Sequence, residues 1–272
     1  MLLCLRKTSF IITSVNEIKV ILKKHGKINK YAVSLLQSHS GMNQDTLIAL
    51  HSDFLTSLLR EGYAVLNNAI EPQIAESLIV NYDKNIGYDP KQRAIRNDIG
   101  IGMRKTVNDI KLYKLPELME GLYEIIRPAA QIWAHRVKVR ISFPRKYSDF
   151  QKRCERVGQN DPVVVFRYEA ASGAYVRFHS DPIGEVPFPF QFLGLLSDHR
   201  TFSGGDFRLR CILQNSESTF RLKLRRGDIL IFPAGDFKRS NSRQVEHWHH
   251  GVSKVTRSER FSISFLLNQA YS

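Results

Sequence analysis

From Pro162 onward the chain reads as a succession of short strands, and that pattern limits the fold more than any other feature. Val163 to Tyr168 is apolar enough for a strand buried on both faces. Tyr175–Phe178, Phe190–Leu196, Gly205–Ile212, Thr219–Leu224, Asp228–Phe232, His249–Ser253 and Arg260–Leu266 follow, separated by Gly, Asp and Ser turns. Short strands at this spacing close on themselves or pack as two antiparallel sheets. A double-stranded β-helix, the jelly-roll or cupin architecture, fits best. The expected class is α+β, because the preceding segment is mainly helical.

In that segment Leu47, Leu50, Phe54, Leu55 and Leu58 recur at helical spacing, which predicts a helix over 45–59 capped by Asp45. Tyr63 to Leu66 is a short strand, and Glu71-Pro72 opens a second helix. Leu115 to Val137 is a long helical pattern that Pro128 should kink or restart. Tyr147 to Val157 is a further helix. Trp133 and Phe150 read as core. Lys84 to Asn108 has no clear periodicity and reads as loop. Its Met103-Arg104-Lys105 is a candidate substrate contact, with a solvated loop the plainer reading. The expected organisation is a basic extension over 1–41, with Met42 a candidate natural start. One domain over 42–272 follows, with helical support at 42–161 and the jelly-roll core at 162–268.

The extension holds seven Lys or Arg and one acid, and Val15 to Lys24 could form a short basic helix. The whole chain carries +14 with 24% charged residues. That balance suits an anionic substrate or nucleic acid, but with no dense Lys/Arg run a generally basic proteome or a solvated basic face is the plainer reading. Three cysteines, Cys4, Cys154 and Cys211, lie far apart in no CxxC pair. A disulfide framework or zinc site is therefore not expected, and a reducing, cytoplasmic setting is. No window is apolar enough for a membrane span.

The chemistry gathers in the strand-rich half. His179 and Asp181 stand two positions apart, and in extended chain such residues share a face, so one metal ion can meet both. An HxD alone is weak. A third ligand must come from a distant strand lying alongside. His250 is favoured over its neighbours His247 and His249, because Gly251-Val252 follow it and Arg260 stands ten positions on (260 − 250). Two imidazoles and a carboxylate form the ligand set that holds Fe(II) and leaves three positions open. In "RFSISF", Arg260, Ser262 and Ser264 share one face. A guanidinium pointing into a barrel needs an anion, and a dicarboxylate supplies one. Ser262 could donate a second hydrogen bond to it, and Tyr175 a third. Asp198-His199 lies between strands and is left out of the metal site.

The ordered set "HSD", "SGGDF", "RRGDILIFP" and "HHGVSKVTRSERFSISF" resembles the Fe(II)/2-oxoglutarate oxygenase superfamily. More closely, the chain is similar to a bacterial 2OG-Fe(II) oxygenase family of poorly known substrate. "REGYAVLNNAI" matches that family's start, "RYEAASGAYVRFHSDPIGEVPFPFQ" matches its metal block, and the resemblance as a whole covers about residues 60–268. Two departures stand out. "VRFHSDPIG" differs from the family's pattern beside the metal, and Glu259 replaces a glycine near the arginine.

The resemblance implies that His179, Asp181 and His250 bind Fe(II). It implies that Arg260, helped by Ser262, holds the far carboxylate of 2-oxoglutarate, and that O₂ takes the last metal position. Ascorbate is an expected stimulant. The implied reaction hydroxylates an unactivated C–H bond of an amino acid, peptide or small metabolite, coupled to conversion of 2-oxoglutarate into succinate. Family members often carry a label for oxidative demethylation of alkylated DNA, so a nucleic acid is the alternative substrate. A silent jelly-roll that only binds a ligand is the alternative from another class. No obligate protein partner is implied.

Overall fold

The computed structural model describes residues 44–96, 98–160, 162–181 and 184–267, with side chains from His51 on. The expected helix at Val15–Lys24 and the residue Cys4 lie outside the described residues. In chain order the elements are α1 (Gln44–Glu61), β1 (Ala64–Leu66), α2 (Pro72–Tyr82), β2 (Arg93–Ala94), β3 (Gly100–Ile101), β4 (Met103–Thr106), α3 (Leu115–Arg136) and α4 (Tyr147–Glu155). Then come β5 (Val163–Glu169), β6 (Tyr175–His179), β7 (Phe190–Leu195), β8 (Ser203–Gly204), β9 (Phe207–Leu213) and β10 (Ser216–Leu222). The last are β11 (Ile229–Pro233), β12 (Asp236–Phe237), β13 (Glu246–Val252), β14 (Val255–Arg257) and β15 (Glu259–Phe265).

These strands build the two antiparallel sheets of a jelly roll. The larger runs β1-β11-β7-β15-β5-β4-β2, and the smaller β10-β9-β13-β6-β3. Every residue of β7 and of β11 is buried, the pattern of strands covered on both faces. Phe192, Ile231, Ile263 and Phe265 are wholly inaccessible and form part of one continuous core. Aromatic rings of the same core tie the helices to the sheets: Tyr123 of α3 packs on Phe150 of α4 and on Phe188, with ring centroids 5.2 and 5.9 Å apart.

Two expectations are corrected. The stretch around residues 93–106 is not all loop, because β2, β3 and β4 lie in it. Their burial shows no period of two: both residues of β2 are exposed, and β4 hides only Lys105. Pairing with β5 and β6, rather than their own pattern, makes them strands. And α3 runs through Pro128 as one helix instead of restarting. The proline sacrifices one intrahelical hydrogen bond. Burial of Ile125, Ile126, Ala129 and Ala130 on either side holds the helix together regardless.

His51 of α1 is an inaccessible imidazole whose Nε2 donates to the Ile125 carbonyl of α3 at 2.8 Å. Its buried Nδ1 has no partner. Burial pushes its pKa from 6.5 down to about 4; the Ile125 bond opposes this and Arg127 adds to it. The folded imidazole therefore stays neutral while the unfolded one takes a proton below about pH 6.5. The stability it confers is complete above that pH and is lost as the pH falls toward 4. From pH 7 to pH 5, wild type should lose about 2 kcal/mol more of its urea-unfolding free energy than His51→Gln does. Equal losses in the two proteins would contradict this account.

Candidate metal and cosubstrate site

The site is set by one strand pairing. On β13, His250 stands opposite His179 of β6, and Val252 opposite Val176. Two steps on one strand thus meet three on the other, so β6 carries a one-residue bulge. The bulge turns His179 onto the face that Val176 occupies, and both line the same cavity. Asp181 follows just past the end of β6 and lines it too.

One ligand atom from each of His179, Asp181 and His250 lies within 4.8 Å of the others. His179 Nε2 is 3.7 Å from Asp181 Oδ1, and His250 Nε2 is 3.6 Å from Asp181 Oδ2. The two imidazole centroids are 4.2 Å apart. His179 Nδ1 lies 3.0 Å from the Arg177 carbonyl. A carbonyl only accepts, so Nδ1 carries the proton and Nε2 presents a lone pair to the cavity. The His250 ring packs against Phe232 and Phe207. Burial pushes its pKa down to about 3, against the pull of Asp181, so the ring is neutral and free to donate a lone pair. Burial favours a protonated Asp181, but His250, His179 and the hydrogen bond from Gln191 outweigh it and hold the carboxyl below its usual range. Gln191 Nε2 donates to Asp181 Oδ2 at 2.7 Å. Two imidazoles and an ionised carboxylate, converging at one end of a cavity, fit a divalent iron with open positions.

The competing histidines point elsewhere. His247 Nδ1 is 2.5 Å from Asp236 Oδ1, in an exposed pair. The His249 pKa is lowered by burial and by Arg210. Asp198 is held by Arg200.

Arg260, the second residue of β15, is 2% exposed and lines a cavity with Gly205 and Asp206, next to the one that His179 lines, with Phe207 in the wall of both. Its Nη1 donates to Ser262 Oγ at 3.1 Å, and its guanidinium carbon is 5.2 Å from the Tyr168 ring centre. Its Nε is buried without a hydrogen-bond partner, and no carboxylate pairs with it among the described residues. Burial depresses its pKa; Tyr168 and Asp206 oppose this, but the Asp206 carboxylate already accepts from Arg221. A buried cation left in this state is costly, and an incoming carboxylate relieves it. Gly205, at φ +64°, leaves room for it: a Cβ there would lie 2.7 Å from Arg260 Cδ. Glu259, in place of the family's glycine, pairs with Arg167 across β5.

Tyr175 does not join this group. It lies before the bulge, where strict alternation no longer carries its face over to His179. It does not line the His179 cavity, and the Arg177 guanidinium sits 5.9 Å from its ring. Tyr168 of β5 stands beside Arg260 instead and lines that cavity. Sequence reasoning missed Tyr168 and Gln191. Gln191 closes the "FPFQ" end of the metal block, the one signal that could have found it.

A family model described as "oxygenase, catalysing oxidative methylation of damaged DNA" matches residues 109–270. The chain belongs to this oxygenase family. The oxygenase falls within the superfamily that works with Fe(II), 2-oxoglutarate and O₂. Its fold is that of a Trichoplax adhaerens prolyl hydroxylase solved with a hypoxia inducible factor peptide fragment. The two are 14% identical with a TM-score of 0.50, over 83% of this chain and 93% of that one. A Pseudomonas putida prolyl-4-hydroxylase is 12% identical with a TM-score of 0.49, over 81% and 100%. No curated protein matches the oxygenase. Among its described residues no helix is long and apolar enough to cross a membrane.

Gly251 follows His250, and a Cβ there would lie 2.8 Å from the Val176 oxygen and 3.0 Å from the Arg177 oxygen. The second is the carbonyl that fixes the His179 tautomer. Gly251→Ala should therefore weaken metal binding by about ten-fold, with the circular dichroism spectrum unchanged. Calorimetry with Co(II), an ion inert to air, measures this; undiminished affinity would contradict it.

Proposed function

We propose that the oxygenase hydroxylates an unactivated C–H bond of its substrate while 2-oxoglutarate is converted to succinate and CO₂, with His179, Asp181 and His250 holding the metal. The convergence of those three ligand atoms within 4.8 Å carries the reading. Iron with 2-oxoglutarate and O₂ supplies the oxidising power; the chain's own residues supply position and charge. Gln191 keeps Asp181 ionised and oriented. The Arg177 carbonyl keeps the His179 Nε2 lone pair aimed at the metal position. Arg260 receives the far carboxylate of 2-oxoglutarate, with Ser262 orienting its guanidinium and Tyr168 packed beside it.

In this reading residues 42–272 are one domain, with 42–161 supporting a core at 162–268. The buried cysteines Cys154 and Cys211, which form no disulfide, suit a reducing cytoplasm. The substrate is a small metabolite, amino acid or peptide. Alkylated nucleic acid is the second reading, favoured by the family description and by the net charge of +14. A base would have to be extruded into the cavity for that chemistry.

The test is 2-oxoglutarate-dependent succinate formation. His179→Ala, Asp181→Ala and His250→Ala should each abolish it, while His247→Ala leaves it intact. Arg260→Ala should raise the 2-oxoglutarate concentration required by about two orders of magnitude, the worth of a charge-assisted bidentate contact. Full activity in His250→Ala with loss in His247→Ala would sink the ligand assignment. Succinate output that rises with alkylated single-stranded DNA but not with amino acids or peptides would decide for the second reading.

A further inference from the structure

Another arginine lacks a partner, and this one lines the metal cavity itself, which Arg260 does not. Arg104 of β4 lines it, and its Nε is buried with no hydrogen bond. Among the described residues no acid pairs with this guanidinium. Its neighbour Lys105 is fully engaged on the other face of the strand: Nζ donates to the Tyr82 carbonyl at 2.7 Å and to Asn85 Oδ1 at 2.8 Å. Arg96, also in the cavity wall, is closed off by a two-point contact with Asp98. Arg104 alone in that wall keeps an uncompensated charge, and a guanidinium does not lose its proton to escape the cost.

The anion for Arg104 differs from the one for Arg260. Arg104 is registered opposite Phe166 of β5, and Arg260 opposite Tyr168 of the same strand, from the other side. The two residues thus flank β5, their Cα atoms about 12 Å apart by strand spacing and a two-residue offset. The Phe166 and Tyr168 rings, stacked at 16°, stand between them. If 2-oxoglutarate spends one carboxylate on Arg260 and the other at the metal, none remains for Arg104.

We propose that Arg104 binds an oxyanion of the substrate, a carboxylate or phosphate, and so fixes which C–H bond is presented to the metal. The substrate is then an acid, and Arg104 selects for it. This rests on the reading of the cosubstrate site given above. Two-point contact with a planar fork suits either anion.

The test uses anaerobic protein loaded with Fe(II) and 2-oxoglutarate, and calorimetry with paired probes. A nucleoside 5′-monophosphate is compared with its nucleoside, and an N-acetylated amino acid with its amide. At least one charged probe should bind about ten-fold more tightly than its neutral partner. Which pair shows the preference tells phosphate from carboxylate. Arg104→Gln should erase the preference and Arg104→Lys keep part of it, while 2-oxoglutarate affinity changes by less than about two-fold in both. A wild-type protein without any preference, or an Arg104→Gln variant that keeps it, overturns the proposal. So does a variant that loses 2-oxoglutarate as well. Failure of wild type itself to take up 2-oxoglutarate would instead bring down the cosubstrate reading, and this one with it.

Discussion

The pairing of β6 with β13 is the contact on which the site depends. It places His250 opposite His179 although about seventy residues separate them in the chain (250 − 179). The bulge in β6 then rotates His179 into the cavity, and the strand ends in time for Asp181 to turn toward the same point. Gly251 lets the two strands approach there without a side chain between them. A register slip of one residue on either strand would send an imidazole to the outer surface. The rest of the jelly roll, including the wholly buried β7 and β11, keeps that register fixed.

Buried charge decides what the cavity can hold. Arg260 is almost inaccessible, yet among the described residues its hydrogen bond is to a neutral hydroxyl, that of Ser262. Proteins rarely leave a guanidinium so unless a ligand completes it. Contrast Arg239, whose Nε donates to both oxygens of the inaccessible Glu246 at 2.9 and 2.8 Å. That pair is closed and needs nothing more. Arg260 and Arg104 differ from Arg239 in that each keeps a buried Nε without a partner, and each stands in a cavity wall where an anion could reach it.

Much of this was legible in the sequence, and the gaps have physical causes. The jelly roll announced itself because its long strands alternate or are apolar throughout. The convergence of His179, Asp181 and His250 was legible because the ordered motifs around them constrain one another, and the burial of Arg260 and Ser262 was legible in the alternation of "RFSISF". Tyr175 failed because counting by twos assumes an unbroken pleat, and a bulge is invisible to such counting. Tyr168 looked like one more apolar strand residue. The strands β2, β3 and β4 are too short and too exposed to show a period, so Arg104 seemed to lie in solvated loop. Pro128 read as a break because local propensity does not register the burial that overrides it.

The central claim is that three side chains from β6, its C-terminal edge and β13 hold one iron, with Arg260 gripping the cosubstrate behind it. Anomalous X-ray diffraction at the iron edge, from crystals grown without oxygen in Fe(II) and 2-oxoglutarate, addresses this most directly. The account predicts a single strong peak about 2 Å from His179 Nε2, His250 Nε2 and an Asp181 oxygen, with density for a dicarboxylate running from it to the Arg260 guanidinium. Iron bound at His247 or His249, or no iron between His179 and His250 in an otherwise intact fold, would contradict it.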